Sequence, residues 1–282
     1  MIHGHLMGGL GNQLFQIFTT IAYALKEGHQ FKFTSNIKLA NRNTYWFSFL
    51  SSLQNYIGKY NANNLRKISE KGHHYEKLPN LSKNNKVLLY GYFQSEKYFK
   101  DYKNDIYNLI NLNYNKNLVK DIFNEIISTN PTNTIISLHF RLGDYINIPN
   151  ILPIMSIEYY SAALNHMKNN LKPSDVVTIL YFCEQTDITK VDYMIEQLKL
   201  ECPSNWTFKI CPEIIPDWKQ MLLMSLCHHN IIANSTFSWW GAYFNDKEDK
   251  IVCYPELWFG EKLKLTHKTC DICPSEWICI KL

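Results

Sequence analysis

The sequence predicts an α/β protein built on parallel sheet. From residue 134 onward, apolar runs of strand length alternate with segments of helical periodicity, an order typical of a parallel, doubly wound sheet. At the start, a short apolar segment, a glycine-rich turn and a helical segment follow one another in the same way. The composition, 46% hydrophobic and 19% charged over 282 residues, is that of a folded protein long enough for two domains.

The first domain is predicted over residues 1–129. Residues 34–86 have a weak pattern and are expected to form loops and short helices, with Trp46, Phe47 and Phe49 packed inward. The other elements expected here are a first strand, a helix that Gly28 ends, two further strands and a closing helical stretch: His3–Met7, 12–28, Phe31–Phe33, Val87–Tyr90 and 101–129.

The second domain is predicted over residues 130–260, after a break at Asn130–Asn133, and residues 261–282 are predicted to form a tail that packs back on the body. The strands expected here are Thr134–Leu138, Val176–Cys183, Phe208–Ile210, Asn230–Ala233 and Ile251–Tyr254. Helices are expected to begin at Ser156 or Ile157, at Asp187 and at Trp218, and after the turn at Asn234–Gly241.

Polar side chains follow three of these predicted strands. Arg141 follows one strand, Glu184 and Asp187 a second, and Ser235 and Thr236 a third, where a helix begins. The carboxyl ends of parallel strands meet at one edge of the sheet, where such proteins bind ligands. A guanidinium fork and a helix N-terminus both bind phosphate, and an acid can accept from ribose hydroxyls. This pattern predicts a nucleoside diphosphate site; a local ion pair at Arg141 and simple helix capping at Ser235 are the structural alternatives.

The glycine-rich turn has a different possible function, dinucleotide binding. The pattern Gly9-x-Gly11-x-x-Leu14 lacks the third glycine of that fingerprint, and no acid for a ribose follows the second strand. A glycine turn that opens a helix still presents backbone N–H groups to an anion or a sugar hydroxyl. Asn12 and Gln13 add side-chain donors and acceptors.

The segment Gly91–Phe99 is aromatic, with polar residues such as Gln94 and Glu96 embedded in it. Rings that frame polar groups suit a sugar, because its apolar faces stack on the rings while its hydroxyls form hydrogen bonds. The alternative is a helix start with core aromatic residues.

Charge and cysteine content narrow the possible functions. A net charge of +4 suits an anionic small ligand or weak contact with an anionic membrane surface, and it is too small to indicate nucleic acid. We expect no membrane span and no signal peptide, so the eight cysteines are expected to be thiols in a cytoplasmic protein. We expect no metal site, since Cys270–Cys273 has no second pair and Asp246–Asp249 is interleaved with lysine.

Three motifs, Gly8–Gln16, His139–Tyr145 and Ala233–Ala242, resemble those of the bacterial α-1,2-fucosyltransferases, glycosyltransferase family 11. Gly91–Phe99 and Asp271–Trp277 also resemble segments of the family, so the resemblance runs from residue 4 to near the end. It implies a GT-B fold, with two Rossmann-like domains facing a cleft. It also implies a GDP-fucose donor on the second domain, an acceptor galactose near the first, an inverting mechanism and no metal or other cofactor.

The resemblance places Arg141 on the donor phosphates with His139 as its companion, and Ser235, Thr236 and Phe237 near the phosphates and the fucose. The predicted donor-binding residues are Gly11, Asn12, His139, Arg141, Glu184, Asn234, Ser235, Thr236 and Phe237. The predicted acceptor-binding residues are Gln13, Gln94 and Tyr92, and the predicted catalytic residues are Arg141, Asp144 and Glu96.

The chain departs from the family pattern at two places. Leu142 stands where many relatives carry a second arginine, and Glu184-Gln185 stands where many carry two aspartates, which leaves the guanine and ribose contacts open. The general base is equally open among Asp144, Glu96 and His5.

The function implied is inverting transfer of L-fucose from GDP-β-L-fucose to the 2-hydroxyl of a terminal galactose. The family expectation for the acceptor is a surface polysaccharide or O-antigen unit on a lipid carrier, with transient contact at the inner membrane face. The alternatives are a fucosyltransferase of another linkage or acceptor, an NAD-type oxidoreductase, and a non-catalytic glycan-binding protein, which the 14% aromatic content would suit.

Overall fold

The computed structural model describes residues 1–128 and 133–282, so most of the predicted break at Asn130–Asn133 lies outside the described residues. The chain divides into two compact units. Unit 1 comprises Met1–Asn115 and Thr266–Pro274, and unit 2 comprises Lys116–Leu265 and Ser275–Leu282. These bounds differ from the domains predicted over 1–129, 130–260 and 261–282, and that division stays a prediction.

Unit 1 contains a parallel sheet with the strand order β5-β2-β1-β7-β6. Its strands are β1 (Ile2–Gly4), β2 (Phe31–Thr34), β5 (Ile57–Gly58), β6 (Arg66–Ser69) and β7 (Val87–Tyr90), and β3 (Lys38–Leu39) and β4 (Arg42–Asn43) form a separate antiparallel pair. Strands β5 and β6 lie in the region predicted to hold loops and short helices. Strand β5 has two residues and β6 is largely polar, so neither shows the apolar alternation that marks a strand.

Helix α1 (Leu10–Glu27) covers the sheet of unit 1. Gly28 ends the helix with φ 65°, and its N–H donates to the carbonyls of Ala24 and Leu25, as the sequence predicts. Of the three aromatic residues expected inside, Trp46 and Phe49 are buried, but Phe47 is 72% exposed. The prediction for Phe47 is wrong because it lies in a turn, where the side chains of neighbouring residues point in different directions.

The predicted helical stretch 101–129 is three short helices, α2 (Lys103–Leu109), α3 (Leu112–Asn117) and α4 (Lys120–Ile127). Asn111, between the first two, has φ 52°, and Ser128 caps the third with φ 43°. Left-handed residues of this kind interrupt a continuous helix.

Unit 2 contains a six-stranded parallel sheet with the order β10-β9-β8-β11-β12-β13. The strands are β8 (Thr134–His139), β9 (Val177–Phe182), β10 (Trp206–Ile210), β11 (His229–Ile231), β12 (Val252–Pro255) and β13 (Ile278–Ile280). The helices are α5 (Ile157–Asn170), α6 (Ile188–Glu201), α7 (Asp217–Leu226) and α8 (Thr236–Tyr243). The sequence predicts all of these except β13, whose three residues lie in the segment predicted to be a tail.

Helices cover both faces of this sheet. Ile136 and Leu138 of β8 pack with α5 and α6 in the main core of unit 2. On the alternate face, Asn230 donates from Nδ2 to Ser137 Oγ (2.7 Å) and to the Met224 carbonyl of α7 (2.9 Å). The predicted fold class, α/β of GT-B type with two Rossmann-like domains, is confirmed by these two parallel sheets. None of the described helices has the length and apolarity needed to cross a membrane.

Candidate functional site

The polar groups predicted to meet at one sheet edge in unit 2 do so. Strands β9, β8 and β11 are parallel neighbours, and Glu184, Arg141 and Ser235 follow their respective carboxyl ends. The chain runs outward from β8 to β10 and then in the other direction from β11 to β13, so the strand order reverses between β8 and β11. Such a reversal opens the crevice in which doubly wound sheets bind nucleotides.

Arg141 is held by two carboxylates in the structure. Its Nη1 donates to Glu184 and its Nη2 to Asp144, and its side chain is 19% exposed against 49% for Glu184 and 51% for Asp144. Burial alone would lower the pKa of Arg141, but the charges of Glu184 and Asp144 outweigh burial and raise it. The local ion pair that the sequence offered as the structural alternative is therefore present. It holds a permanently charged guanidinium in a fixed position.

The loop that carries Arg141 is fixed to both neighbouring loops. The N–H of Gly143 donates to Asp187 Oδ2 (2.8 Å), and Asp187 is 2% exposed. The Cζ atom of Arg141 lies 5.0 Å from the ring centre of Tyr145, whose hydroxyl donates to the Asn234 carbonyl (3.3 Å). Asp187, considered from the sequence as a ribose partner, therefore supports the loop.

Gly143 has φ 35°, a backbone conformation that favours glycine. A Cβ atom at this position would lie 2.7 Å from Glu184 Oε2. The glycine of the motif thus allows the carboxylate of Glu184 to approach the loop and reach Arg141.

His139, the last residue of β8, is 7% exposed, and its ring centre lies 5.6 Å from that of Phe237. Among the described residues, its Nδ1 atom has no hydrogen-bond partner. Burial, and then the charge of Arg141, lower its pKa from 6.5 to about 3. His139 is therefore a neutral imidazole at physiological pH.

This neutral His139 predicts an acid-sensitive stability. The folded protein takes up the proton only near pH 3, whereas the unfolded chain takes it up near 6.5. The free energy of unfolding contributed by this group is thus fully present above pH 6.5 and decreases as the pH falls towards 3. Urea unfolding across this window should show a smaller loss of stability for His139→Gln than for the unmodified protein. The matched control is His166→Gln on α5, which should lose as much stability on acidification as the unmodified protein. Equal losses in all three proteins would contradict the prediction.

The residues after β11 form the N-terminal end of α8. Ser235 caps the helix, its Oγ accepting from the N–H of Phe237 (3.3 Å), while Thr236 and Phe237 are partly exposed. Capping is therefore confirmed, and it is compatible with phosphate binding by the same helix end.

Asn234 is 1% exposed and fastens two other loops. Its Nδ2 donates to the carbonyls of Pro153 (2.9 Å) and Trp258 (3.1 Å), while its Oδ1 has no hydrogen-bond partner in the described part of the chain. Both of its amide hydrogens are thus used inside the fold, and the predicted donor contact stays a prediction.

In unit 1, Asn12 and Gln94 form a side-chain pair. Gln94 Nε2 donates to Asn12 Oδ1 at 2.9 Å. Gln94 follows strand β7, and Asn12 follows the neighbouring strand β1. Gln13 is fully buried, and its Nε2 donates to the carbonyls of Gly8 (3.0 Å) and Asn43 (2.8 Å). This position fits support of the glycine turn, and the predicted contact of Gln13 with the acceptor stays a prediction.

The remaining predicted residues also lie in unit 1. Gly11 is buried in the first turn of α1, and Tyr92 is half-buried with its ring centre 5.8 Å from that of His73. Glu96 is half-buried at the start of a single helical turn, Glu96–Tyr98. His5 stacks on Tyr90 at 4.8 Å, and burial followed by the charge of Lys67 lowers its pKa.

Two supporting residues in unit 1 were missed by the sequence analysis. Gln16 accepts from the Met7 N–H (2.9 Å) and donates to the Met7 carbonyl (3.3 Å), which fixes the chain before the glycine turn. Glu70 accepts from the N–H groups of Tyr92 (2.7 Å) and Phe93 (2.8 Å). Gln16 lies within a recognised motif and could have been noted, but nothing in the local sequence distinguishes Glu70.

Within residues 1–128 and 133–282, no group of three or more His, Cys, Asp or Glu side chains is arranged to hold a metal ion. The sequence predicts that the segment Asp246–Asp249 is a solvated turn. The side chain of Asp246 is 76% exposed, and it forms an ion pair with the buried side chain of Lys116 (2.8 Å). This pairing ties the turn to the fold.

An α/β fold with a guanidinium and a helix N-terminus at a strand-order reversal is typical of proteins that bind the phosphates of a nucleotide. The model of the glycosyl transferase family 11 matches residues 51–281. The chain belongs to glycosyltransferase family 11.

Three known proteins are similar to this chain. The O-antigen biosynthesis glycosyltransferase WbnK of Escherichia coli is 33% identical over 206 residues, which is 68% of this chain and 63% of that protein. An α-1,2-colitosyltransferase of E. coli is 27% identical over 306 aligned positions, covering 100% of this chain and 99% of that protein. The solved structure of the fucosyltransferase NodZ from Bradyrhizobium has a TM-score of 0.48 at 12% identity, over 85% of this chain and 90% of that chain.

Proposed function

We propose that this family 11 transferase moves L-fucose from GDP-β-L-fucose to the 2-hydroxyl of a terminal galactose, with inversion. The observation that carries the proposal is the position of Arg141, at the carboxyl end of β8 beside the strand-order reversal and the N-terminal end of α8. Guanidinium and helix N–H groups are the donors that bind a diphosphate. The proposed donor-binding residues are those predicted from the sequence, with Arg141, His139, Ser235, Thr236 and Phe237 at their centre.

The proposed reaction is a single displacement. The acceptor hydroxyl attacks the anomeric carbon of fucose from the face opposite GDP, the bond from that carbon to the β-phosphate oxygen breaks, and negative charge develops on the leaving diphosphate. Arg141 lowers the barrier because it binds this charge more strongly in the transition state than in the ground state. We propose that the guanidinium and the α8 N–H groups do this without a divalent ion.

The attack also needs a base for the hydroxyl proton. The three candidates, Asp144, His5 and Glu96, have different surroundings in the structure. The carboxylate of Asp144 is already bound to the guanidinium of Arg141 and would have to leave it to take the hydroxyl proton. The lowered pKa of His5 leaves its imidazole neutral and able to accept one. Glu96 is half-buried, and its carboxylate lies in the first turn of a short helix. His5 and Glu96 are therefore the candidates to test first.

A second donor follows from one of the relatives. Colitose is fucose without its 3-hydroxyl, and the α-1,2-colitosyltransferase matches the whole of this chain. Transfer of colitose in the same linkage is therefore the second candidate function. The O-antigen transferase among the relatives supports an O-antigen or other surface polysaccharide unit as the acceptor.

The proposal predicts a product that can be measured directly. The purified protein with GDP-fucose, lactose and EDTA should release GDP and form 2′-fucosyllactose, with the linkage assigned by NMR. Parallel reactions with GDP-colitose decide between the two donors by their kcat/KM. Absence of GDP release with either donor and every galactoside tested would refute the proposal, and loss of turnover on adding EDTA would refute its metal-independent part.

The proposed place of action is the cytoplasm, with transient contact at the inner membrane face where lipid-linked glycans are built. The modest net charge of +4 supports weak attraction to an anionic surface. Failure to float with vesicles rich in anionic lipid, at low salt, would remove this part of the proposal.

A further inference from the structure

Three neighbouring strands of unit 1 bring together the residues on which the inference rests. In the order β1-β7-β6, Asn12 follows the first strand, Gln94 the second and Glu70 the third, all beyond the carboxyl ends. Glu70 is the residue directly after β6, and its N–H donates to the Tyr90 carbonyl at the end of β7 (2.9 Å). The parallel sheet therefore places the carboxylate of Glu70 beside the turn that leaves β7.

The carboxylate of Glu70 holds the backbone of this turn. Oε2 accepts from the N–H of Tyr92 at 2.7 Å, and Oε1 accepts from the N–H of Phe93 at 2.8 Å. Successive N–H groups that converge on one anion form a strong, oriented arrangement of charge-assisted hydrogen bonds. Burial raises the pKa of Glu70, and the bonds from Phe93 and Tyr92 counteract burial only in part.

The close approach also depends on Gly91. A Cβ atom at Gly91 would lie 2.3 Å from the Cβ of Glu70 and 2.9 Å from its Oε2. Since real Cβ atoms do not approach other atoms so closely, any larger residue would displace Glu70 from the turn. Holding the turn therefore requires both the carboxylate of Glu70 and the absence of a side chain at Gly91.

The turn that they hold is strained. Phe93 has φ 53°, in the left-handed region that non-glycine residues rarely adopt, and its side chain is 1% exposed. A residue in such a conformation is unfavourable by itself and persists where the surrounding structure enforces it, often at functional sites. Here the bond from the Phe93 N–H to Glu70 is part of what enforces it.

The strained turn determines where Gln94 lies. Gln94 is 6% exposed, and its Nε2 donates to Asn12 Oδ1 at 2.9 Å. Its Oε1 atom has no hydrogen-bond partner within the described residues. The oxygen is itself buried, and a buried amide oxygen without a partner is uncommon in folded proteins. The hydroxyl of a sugar that enters beside Gln94 is a donor that can supply the missing bond.

We propose that Glu70 is a positioning residue for the acceptor sugar: its carboxylate holds the turn at residues 91–94 so that Gln94, paired with Asn12, presents its amide oxygen to an acceptor hydroxyl. The inference rests on the proposed function, because it assumes that the acceptor binds unit 1. Glu70 touches neither the acceptor nor the donor and acts through the backbone of Tyr92 and Phe93.

The test is the substitution Glu70→Gln, which keeps the shape of the side chain and replaces one acceptor oxygen by a donor. One buried N–H of the turn then loses its partner, so the KM for lactose should rise about tenfold. The KM for GDP-fucose should stay within twofold of the unmodified value, because Glu70 bonds the turn at residues 91–94 in unit 1, whereas the proposed diphosphate contacts centre on Arg141 and the N-terminal end of α8 in unit 2. Glu76→Gln is the matched control, because Glu76 is 43% exposed and its carboxylate lies within ion-pair distance of the side chains of Lys71 and His74.

A second variant makes the test independent of how Glu70→Gln folds. Gly91→Ala should raise the KM for lactose by a similar factor, and the double variant should resemble either single variant, because both changes break the same contact. The proposal is overturned if the KM for lactose is unchanged, or if both KM values rise together with a lowered melting temperature. Failure of the unmodified protein to release GDP would instead refute the proposed function.

Discussion

Replacing Arg141 by alanine should lower kcat for sugar transfer about 10²–10³-fold, the loss found when one donor to a developing oxyanion is removed. The effect should fall mainly on kcat, because the leaving diphosphate carries more charge in the transition state than in the bound donor. Stopped assays with GDP-fucose and lactose, with kcat and KM measured separately, would show this division.

The contacts of Arg141 explain why the effect should be so large. The guanidinium is mostly buried, it lies at the sheet edge, and its two present partners are both carboxylates. A diphosphate that binds Arg141 must displace at least one of these two carboxylates. The fold therefore already accommodates negative charge beside this guanidinium. Loss of the guanidinium also leaves Glu184 and Asp144 to repel the charge that develops on the leaving diphosphate, which adds to the loss of attraction in the transition state.

Two controls sharpen the prediction for Arg141. Arg141→Lys keeps the charge and loses the planar fork, so it should retain more activity than the alanine variant and less than the unmodified protein. Lys199→Ala removes a cation that lies on α6 and is 44% exposed, and it should leave kcat unchanged. Turnover in Arg141→Ala within threefold of the unmodified rate would show that leaving-group charge is stabilised elsewhere.

Trp239→Ala should lower the free energy of unfolding of unit 2 by about 3–5 kcal/mol, because it removes a large aromatic side chain from a fully buried site. Trp239 stacks on Tyr243 at 4.6 Å and lies 5.4 Å from Trp277, the residue just before β13. The cavity would loosen both α8, whose N-terminal end carries Ser235, and the strand at the end of the chain. Domain stabilities are about 5–15 kcal/mol, so this one change could unfold the unit at physiological temperature.

Urea unfolding followed by far-UV circular dichroism measures this loss. Trp218→Ala is the matched control, because Trp218 is partly exposed at the start of α7 and the same side chain is removed. Its midpoint should shift much less than that of Trp239→Ala. Equal shifts in the two variants would show that burial at Trp239 contributes little beyond that of a surface tryptophan.

Several elements of the fold could be predicted because their signals are local. The apolar run before Arg141 predicts a buried strand, and β8 spans Thr134–His139. The helix after the first glycine turn and its end at Gly28 follow from periodicity and from the backbone freedom of glycine. The cap at Ser235 is similarly local, because the side chain bonds an N–H two residues further on.

Other elements could not be predicted, because their stability comes from distant partners. Strands β6 and β13 are short and carry little apolar alternation, and each forms by pairing with a strand already in place, β7 and β12 respectively. The exposure of Phe47 and the breaks between α2, α3 and α4 likewise depend on the surrounding chain. The pattern of a short segment does not encode such contacts.

The sequence by itself determined that polar and charged groups follow the ends of buried parallel strands, and its motifs determined the family. Only the tertiary structure decided which strand ends are neighbours: β11 lies next to β8 although about ninety residues separate His229 from Ile136, its partner in the register. It also decided that Arg141 meets both Glu184 and Asp144, and that Glu70 holds the turn before Gln94. The physical reason is that strand identity is set by side chains near in sequence, whereas strand order and the contacts between loops are set by packing and hydrogen bonding across the whole sheet.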